Sequence, residues 1–143
     1  MKKERLRGVN LGGWFSQVDC IQEKDPVGFP GVVQHIKTFL DKSDFKRIRE
    51  AGFNHVRLPV DYFNLFKGEN DTPDEEVFGL LDKALKEIQE ADLDVILDLH
   101  KCPGHDFHLG CSTEQAFFVI PPHASAPATS GRSWESATAT SPA

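Results

Sequence analysis

The sequence has fewer positive than negative charges and no long apolar run, and both features limit which partners it can bind. Lysine and arginine number 16 against 22 aspartates and glutamates, which gives a formal net charge of −6. Nucleic acids bind to basic faces, so this balance argues against nucleic acid as a partner. A membrane-spanning helix needs about 18 consecutive apolar residues, and no run approaches that length. We therefore expect no nucleic acid and no membrane as a partner.

Cysteine is also scarce, and its number is odd. The three cysteines are Cys20, Cys102 and Cys111. The charged residues 1–8 are not followed by the apolar segment of a secretory signal. These features exclude a disulfide framework and predict reduced thiols in a cytoplasmic protein.

Charged residues become rare after Gly110. Only three follow it, and alanine, serine, threonine and proline fill 18 of the 23 positions over residues 121–143. Such a composition cannot bury enough apolar surface to offset its ordering entropy. We therefore expect part of a folded domain over residues 1–110 and a disordered, low-complexity tail over residues 111–143. A natural linker would follow a completed domain, so a frameshift or truncation near Gly110 is the favoured explanation.

Strand and helix patterns alternate in the first 110 residues. The predicted elements are strands over residues 5–12, 53–60 and 94–100, a long loop over residues 14–40, a helix capped by Asp41 and ended by Gly52, and a helix capped by Thr72 with Pro73 in its first position. This order predicts parallel strands with right-handed crossovers, as in a doubly wound sheet or a (β/α)8 barrel. A barrel needs about 250 residues, so three strands would make it incomplete.

Each predicted strand has an apolar face and an opposite face with a polar group near its C-terminal end. These polar groups are Asn10, Arg57 and His100. Active sites of parallel α/β folds lie at these strand ends, so a barrel would direct all three side chains into one cavity. Arg57 lies in an apolar strand and needs an acceptor, for which Asp98 is a candidate.

Each candidate also has a structural interpretation. Asn10 precedes two glycines and can satisfy the amides of a turn. His100 can be a hydrogen-bonded structural histidine at the end of a strand. Trp14 can pack in the core, or its ring can stack on a sugar.

Six potential zinc ligands lie close together in the sequence. They are His100, Cys102, His105, Asp106, His108 and Cys111. Their spacing matches no closed Cys/His module, and Pro103-Gly104 indicates a turn, so we predict no metal site and no cofactor. The pair Asp98 and His100 on one strand keeps a metal-dependent barrel hydrolase as an alternative.

Three segments resemble the first three strands of glycoside hydrolase family 5, in the right order and at matching spacing. They are residues 8–14 (GVNLGGW), 51–59 (AGFNHVRLP) and 95–104 (VILDLHKCPG). The resemblance implies an α/β fold of the (β/α)8 TIM-barrel type, here incomplete, with its first three strands and two connecting helices. It also implies a cellulase-like hydrolase that cleaves β-glucan or its oligosaccharides with retention of configuration.

The resemblance also implies roles for the candidate residues. Arg57 would hydrogen-bond the nucleophile carboxylate and hold it ionised, since a cation lowers the pKa of a nearby carboxylate. His100 would line the subsite around the scissile bond and contact a sugar hydroxyl. Asn10 and Trp14 would belong to the floor of the site and its surroundings.

The two catalytic glutamates of this family have no match in the sequence. In the family, the acid/base belongs to an Asn-Glu pair that ends strand four, and the nucleophile ends strand seven. The sequence has no Asn-Glu pair, and Glu114 and Glu135 stand outside any strand pattern. We therefore assign no catalytic residue and expect these 143 residues to be inactive alone. A non-catalytic α/β module that binds sugar through Trp14 and His100 is the remaining alternative.

Overall fold

The computed structural model of the chain describes residues 5–68 and 70–102. Five strands and five helices lie in these ranges. The strands are β1 (Gly8–Asn10), β2 (His55–Asp61), β3 (Phe66–Lys67), β4 (Thr72–Pro73) and β5 (Asp94–Lys101). The helices are α1 (Val18–Lys24), α2 (Val32–Phe39), α3 (Lys42–Glu50), α4 (Tyr62–Leu65) and α5 (Glu75–Glu90).

A parallel sheet of three strands forms the centre of the described region. Its order is β1-β2-β5, and Val56 of β2 lies between Val9 of β1 and Val95 of β5. The predicted series of three parallel strands with helical crossovers is confirmed, and it is the arrangement of the first three strands of a (β/α)8 barrel. The crossovers contain more helices and strands than predicted. Three helices connect β1 to β2, and α4, α5 and the small β3–β4 ladder connect β2 to β5.

The core lies between the helices and one face of this sheet. Val56, Leu58 and Val60 alternate along β2 and are fully excluded from solvent. Apolar residues recur along α5 at the helical period, as predicted, and form a buried stripe that belongs to the same core. The buried residues of this stripe are Val77, Phe78, Leu81, Ala84 and Ile88.

Helix α3 begins and ends where the sequence predicts. The Asp41 side chain accepts the Ser43 amide at 2.7 Å, and the Asp44 carboxylate accepts the Asp41 amide at 3.1 Å. These bonds form a capping box, which satisfies amides that have no partner inside the helix. Gly52 follows the helix with a φ of 87°, in the left-handed region that glycine adopts without steric cost.

The predicted Thr72 cap of the last helix is wrong. Asp74 is the cap, because its Oδ1 accepts the amides of Glu76 and Val77 at 3.1 and 3.3 Å. Thr72 and Pro73 form strand β4 instead and pair antiparallel with β3. The helix therefore begins two residues later than the Thr-Pro signal indicates.

The long loop predicted over residues 14–40 is also wrong, because it contains α1 and α2. These helices are seven and eight residues long, and neither has a side-chain cap. Such short helices show little periodicity, and prolines and glycines separate them over residues 26–31. Burial of Val18 and Ile36 fixes them to the core, which agrees with the general dependence of short helices on tertiary packing.

The tail predicted over residues 111–143 lies outside the described residues, as do residues 103–110. Across residues 5–68 and 70–102, none of the helices has both the length and the apolar character needed to cross a membrane.

Candidate active site

A cluster of four polar side chains lies on the sheet face that the helices leave uncovered. The four are Asn10, Arg57, Asp98 and His100, which we call the arginine cluster. Three successive strands of the sheet supply them. Asn10 ends β1 and His100 is the last residue but one of β5, whereas Arg57 and Asp98 lie near the middle of β2 and β5. Asn10 and Arg57 are register partners, and Asp98 lies opposite the residue two positions after Arg57. Register and alternation therefore bring together the three predicted polar residues, although Arg57 lies four residues before the end of β2 and not near that end as predicted.

Arg57 is at the centre of the cluster. Its Nη1 donates to Asn10 Oδ1 at 2.5 Å, and its Nη2 donates to Asp98 Oδ2 at 2.5 Å. His100 Nδ1 lies 3.3 Å from Arg57 Nη2 and 3.2 Å from Asp98 Oδ2. Asp98 is thus the acceptor that the arginine was predicted to need. A guanidinium has five N–H donors, so this cation is suited to hold further oxygen acceptors at the strand ends.

Trp14 does not belong to the arginine cluster. Only 4% of it is exposed, and its Nε1 donates to the Ile36 carbonyl at 2.8 Å. Its ring packs against Phe15 and Phe45, with centroid distances of 4.9 and 5.7 Å. A ring enclosed in this way cannot stack on a sugar, so we correct the predicted substrate contact and assign Trp14 to the core.

The local path of the chain explains this burial. After β1, the Leu11 amide still donates to the Arg57 carbonyl at 2.9 Å, and the chain then leaves the sheet. Gly13, with a φ of 82°, permits the turn that directs Trp14 inward. The chain returns at Phe15, which forms an isolated parallel bridge to Val60.

A second polar group lies at the same end of the sheet and was not predicted. Asp61 and Lys101 end β2 and β5 as register partners, and both are almost fully buried. Asp61 Oδ2 accepts the Gln17 amide at 2.6 Å, and Lys101 Nζ donates to Asp19 Oδ2 at 2.8 Å. Charged residues at the ends of apolar strands were the available signal. Their partners, Gln17 just before α1 and Asp19 within it, lie in the segment that was predicted to be a loop.

Burial shifts the pKa of an acidic side chain in this second group. Burial raises the pKa of the Asp61 carboxyl, although the Gln17 amide and the Lys101 ammonium act in the opposite direction. Its Oδ1 and the Ser16 hydroxyl are buried, and neither has a hydrogen-bond partner among the described residues. Burial also raises the pKa of the Cys20 thiol, and the adjacent Asp19 carboxylate adds to this effect.

The described residues do not bring together a set of metal ligands. In residues 5–68 and 70–102, no group of three or more histidine, cysteine, aspartate or glutamate side chains has a geometry suited to a metal ion. Four of the six candidate zinc ligands, His105, Asp106, His108 and Cys111, lie outside these ranges. Asp98 and His100 are adjacent, but Arg57 already occupies the shared carboxylate oxygen.

The chain is similar to known glucan-degrading proteins. Residues 20–120 match the profile of the family described as Cellulase (glycosyl hydrolase family 5). Cellodextrinase A of Ruminococcus flavefaciens is 34% identical over 113 residues, which are 79% of this chain and 30% of that protein. A probable glucan 1,3-beta-glucosidase A of Aspergillus fumigatus is 32% identical over 119 residues, which cover 69% of this chain and 29% of that protein.

A solved structure agrees on the fold. A broad-specificity endoglucanase of subfamily GH5-4 from Clostridium cellulovorans superposes with a TM-score of 0.50 at 24% identity. The match covers 66% of this chain and 25% of that one. The chain spans less than a third of the length of the curated relatives quoted above. The profile match extends ten positions beyond Gly110, and the domain boundary at that residue stays a prediction.

Proposed function

Because the chain belongs to glycosyl hydrolase family 5, we propose that it supplies one part of the active site of an enzyme that hydrolyses β-glucan. The arginine cluster carries this proposal. It places a carboxylate, an imidazole and an amide within hydrogen-bond distance of one cation, on a parallel sheet of the kind whose C-terminal end binds substrate in barrel enzymes.

The proposed role of Arg57 follows from its charge. Retaining hydrolysis needs two carboxyl groups about 5–5.5 Å apart, one of them an ionised nucleophile. A guanidinium beside that nucleophile favours its ionised form. Arg57 is already held by Asn10 and Asp98, so its orientation is set before any further acceptor arrives. We propose that it stabilises the nucleophile carboxylate.

His100 and Asn10 have proposed roles in substrate binding. Asp98 Oδ2 can accept a hydrogen bond from His100 Nδ1, and this contact would orient the imidazole. His100 would then offer its ring to a sugar hydroxyl near the scissile bond. Asn10 bonds the guanidinium from the other side and forms part of the floor of the site.

The 143 residues carry no Asn-Glu pair, and we assign no catalytic carboxylate among them. We therefore propose that this polypeptide, tested alone, releases no sugar from β-glucan. Reducing-sugar assays with both β-1,4- and β-1,3-linked glucans test this, since the relatives include a cellodextrinase and a probable glucan 1,3-beta-glucosidase. Hydrolysis by purified protein that is free of contaminating enzyme would contradict the proposal.

A chimeric enzyme tests the active-site role itself. Residues 5–102 would replace the corresponding segment of cellodextrinase A, and we expect the folded chimera to hydrolyse cello-oligosaccharides with retention, as judged by the anomer first formed in NMR spectra. Arg57→Ala should then lower kcat/KM by about 100-fold, the usual cost of removing one charge-stabilising donor. Arg49→Ala is the matched control, because Arg49 pairs with exposed Asp92 on the outer face of α3. Equal losses in the two variants would overturn the proposal.

The two alternative functions make different demands. A metal-dependent hydrolase would bind zinc stoichiometrically, and metal analysis of the purified chain measures this. A sugar-binding module would have used Trp14 and His100 as contacts, and the burial of Trp14 removes one of them. No feature of the described residues favours either alternative over the hydrolase.

A further inference from the structure

An open pocket of about 460 Å³ lies beside the segment that follows β2. Its walls include Phe63 and Asn64 from α4, Val32 and Gln34 from α2, and Val77 from α5. The volume is within the range of about 300–1,000 Å³ typical of small-molecule sites. None of these residues belongs to the arginine cluster, so the pocket is a separate feature of the surface.

Phe63 gives the pocket an exposed aromatic wall. The residue is 53% exposed, whereas Leu65 in the same helix is fully buried. The Tyr62 ring meets the Phe63 ring edge-on, with a centroid distance of 6.0 Å, and itself stacks on Phe66. Phe63 is therefore braced from one side while the rest of its ring remains open to solvent. An aromatic face presented in this way matches the apolar face of a pyranose ring.

Two amide side chains add polar groups to this wall. Asn64 Nδ2 donates to the Phe15 carbonyl at 2.9 Å, which fixes the side chain and leaves its Oδ1 to act as an acceptor. Gln34 is exposed on α2 and also lines the pocket. A largely apolar lining with a few polar groups that fix orientation is the usual design of a ligand site.

The pocket is fixed to the sheet end that carries the arginine cluster. The Phe15 carbonyl that holds Asn64 also accepts the Asp61 amide at 3.0 Å, where β2 ends. Phe63 therefore follows the C-terminal end of the same strand that bears Arg57. A glucan chain that crosses this end of the sheet is long enough to contact both places, because its units repeat along an extended polymer.

We propose that this pocket is a glucan subsite in which Phe63 stacks on one glucosyl unit and Asn64 and Gln34 hydrogen-bond its hydroxyls. The inference rests on the proposed function, because it names where a part of the same substrate remote from the cleaved bond would bind. The occupant is a neutral β-linked glucosyl unit, since the pocket's charged residues, Lys67 and Asp74, already pair with each other.

NMR titration of the full 143-residue chain with cellotetraose and with laminaritetraose tests the subsite. We expect saturable shifts at the amides of Phe63, Asn64 and Gln34. Phe63→Ala should weaken this binding about tenfold, the upper range for loss of one aromatic contact. Phe39→Ala is the matched control, because Phe39 is 41% exposed but lies in the last turn of α2, outside the pocket lining.

Gln34→Ala provides a second variant, because an exposed side chain on a helix surface is replaced with little risk to the fold. It should weaken binding at the same amides while the remaining spectrum stays unchanged. Shifts confined to Arg57 and His100 would overturn the subsite and leave the proposed function standing. Shifts confined to the pocket would support the subsite and count against a glucan site at the arginine cluster. No saturable shift with either sugar would overturn the subsite.

Discussion

The two faces of strand β2 differ in chemistry, and around Arg57 and Leu58 they also differ in burial. Leu58 faces the helices and is fully excluded from solvent, whereas the side chain of its neighbour Arg57 is 39% exposed on the other face. Apolar packing occupies the first face, and the hydrogen bonds of the arginine cluster occupy the second. The difference shows that one strand can hold the fold together on one side and present a charged site on the other. Mutations on the two faces should therefore affect different properties.

The largest loss of stability should come from a mutation on the face of β2 that packs against the helices. Leu58→Ala removes a fully buried side chain and leaves a cavity, so we expect it to lower the free energy of unfolding by about 3 kcal/mol. Urea titration followed by circular dichroism measures the change. Ile96→Ala is the control and should cost far less, because Ile96 lies on the face of β5 that the helices do not cover and is 47% exposed. Similar losses would show that both faces are equally packed.

A smaller loss of stability should follow from a mutation at the start of α5, which packs on the same side of the sheet as Leu58. Asp74→Ala removes the acceptor of two helix amides, which costs about 1 kcal/mol. Thr72→Ala should change the free energy of unfolding little, because Thr72 lies in β4 and does not cap the helix. The same urea titrations compare the two variants. A greater loss with Thr72→Ala would restore the cap predicted from the sequence.

On the exposed face, Arg57→Ala should alter stability by less than about 1 kcal/mol, since partly exposed ion pairs contribute little. The same change should abolish most activity of the chimera, so stability and function should separate at adjacent positions. Thermal melts of the variant and the parent chain provide the measurement. A loss of stability comparable with that of Leu58→Ala would contradict the division between the two faces.

The Asp61 carboxyl at the buried end of β2 should make the free energy of unfolding depend on pH. Burial raises its pKa in the folded chain, so the folded state binds the proton more tightly than the unfolded state does. The stabilisation is fully present below the unfolded pKa of about 3.9 and is lost as pH rises through the folded pKa. Asp61→Asn cannot ionise, and it retains a carbonyl acceptor for the Gln17 amide.

We therefore expect Asp61→Asn to gain stability relative to the parent chain as pH rises from about 4 to about 7. Urea titrations at several pH values give the comparison. Asp94→Asn, at an exposed aspartate that begins β5, is the control. Parallel stability curves for the parent and Asp61→Asn would refute a raised pKa at this carboxyl.

Local patterns predicted the parts of the fold that local physics determines. The alternation of side chains along the strands identified Asn10, Arg57 and His100 as one group, because side chains on the same face of neighbouring parallel strands lie side by side. Asp41 and Gly52 have local conformational roles at the ends of α3, so their positions were correct as well.

The errors fall where contacts outside the local sequence pattern decide the outcome. Asp74 and not Thr72 caps α5, because residues 72–73 pair with β3, and a capping signal in the sequence does not reveal this pairing. Trp14 is inside because the chain leaves the sheet at Leu11 and rejoins it at Phe15 beside Val60. Helices α1 and α2, which follow Phe15 in the chain, are held by tertiary burial. Periodicity over seven or eight residues is too weak to identify such helices from the sequence.

The unequal lengths of the two strand pairings have a consequence for folding kinetics. The ladder between β2 and β5 extends from His55 to Asp61, whereas β1 adds only the three pairs from Gly8 to Asn10. The partners Asn10 and Arg57 are 47 positions apart and the partners Arg57 and Ile96 are 39 apart, so closing the two loops costs similar entropy and the longer ladder returns more contact for it. The unit from β2 to β5 should therefore form first, and the Asn10 side of the arginine cluster should be completed last, when β1 docks.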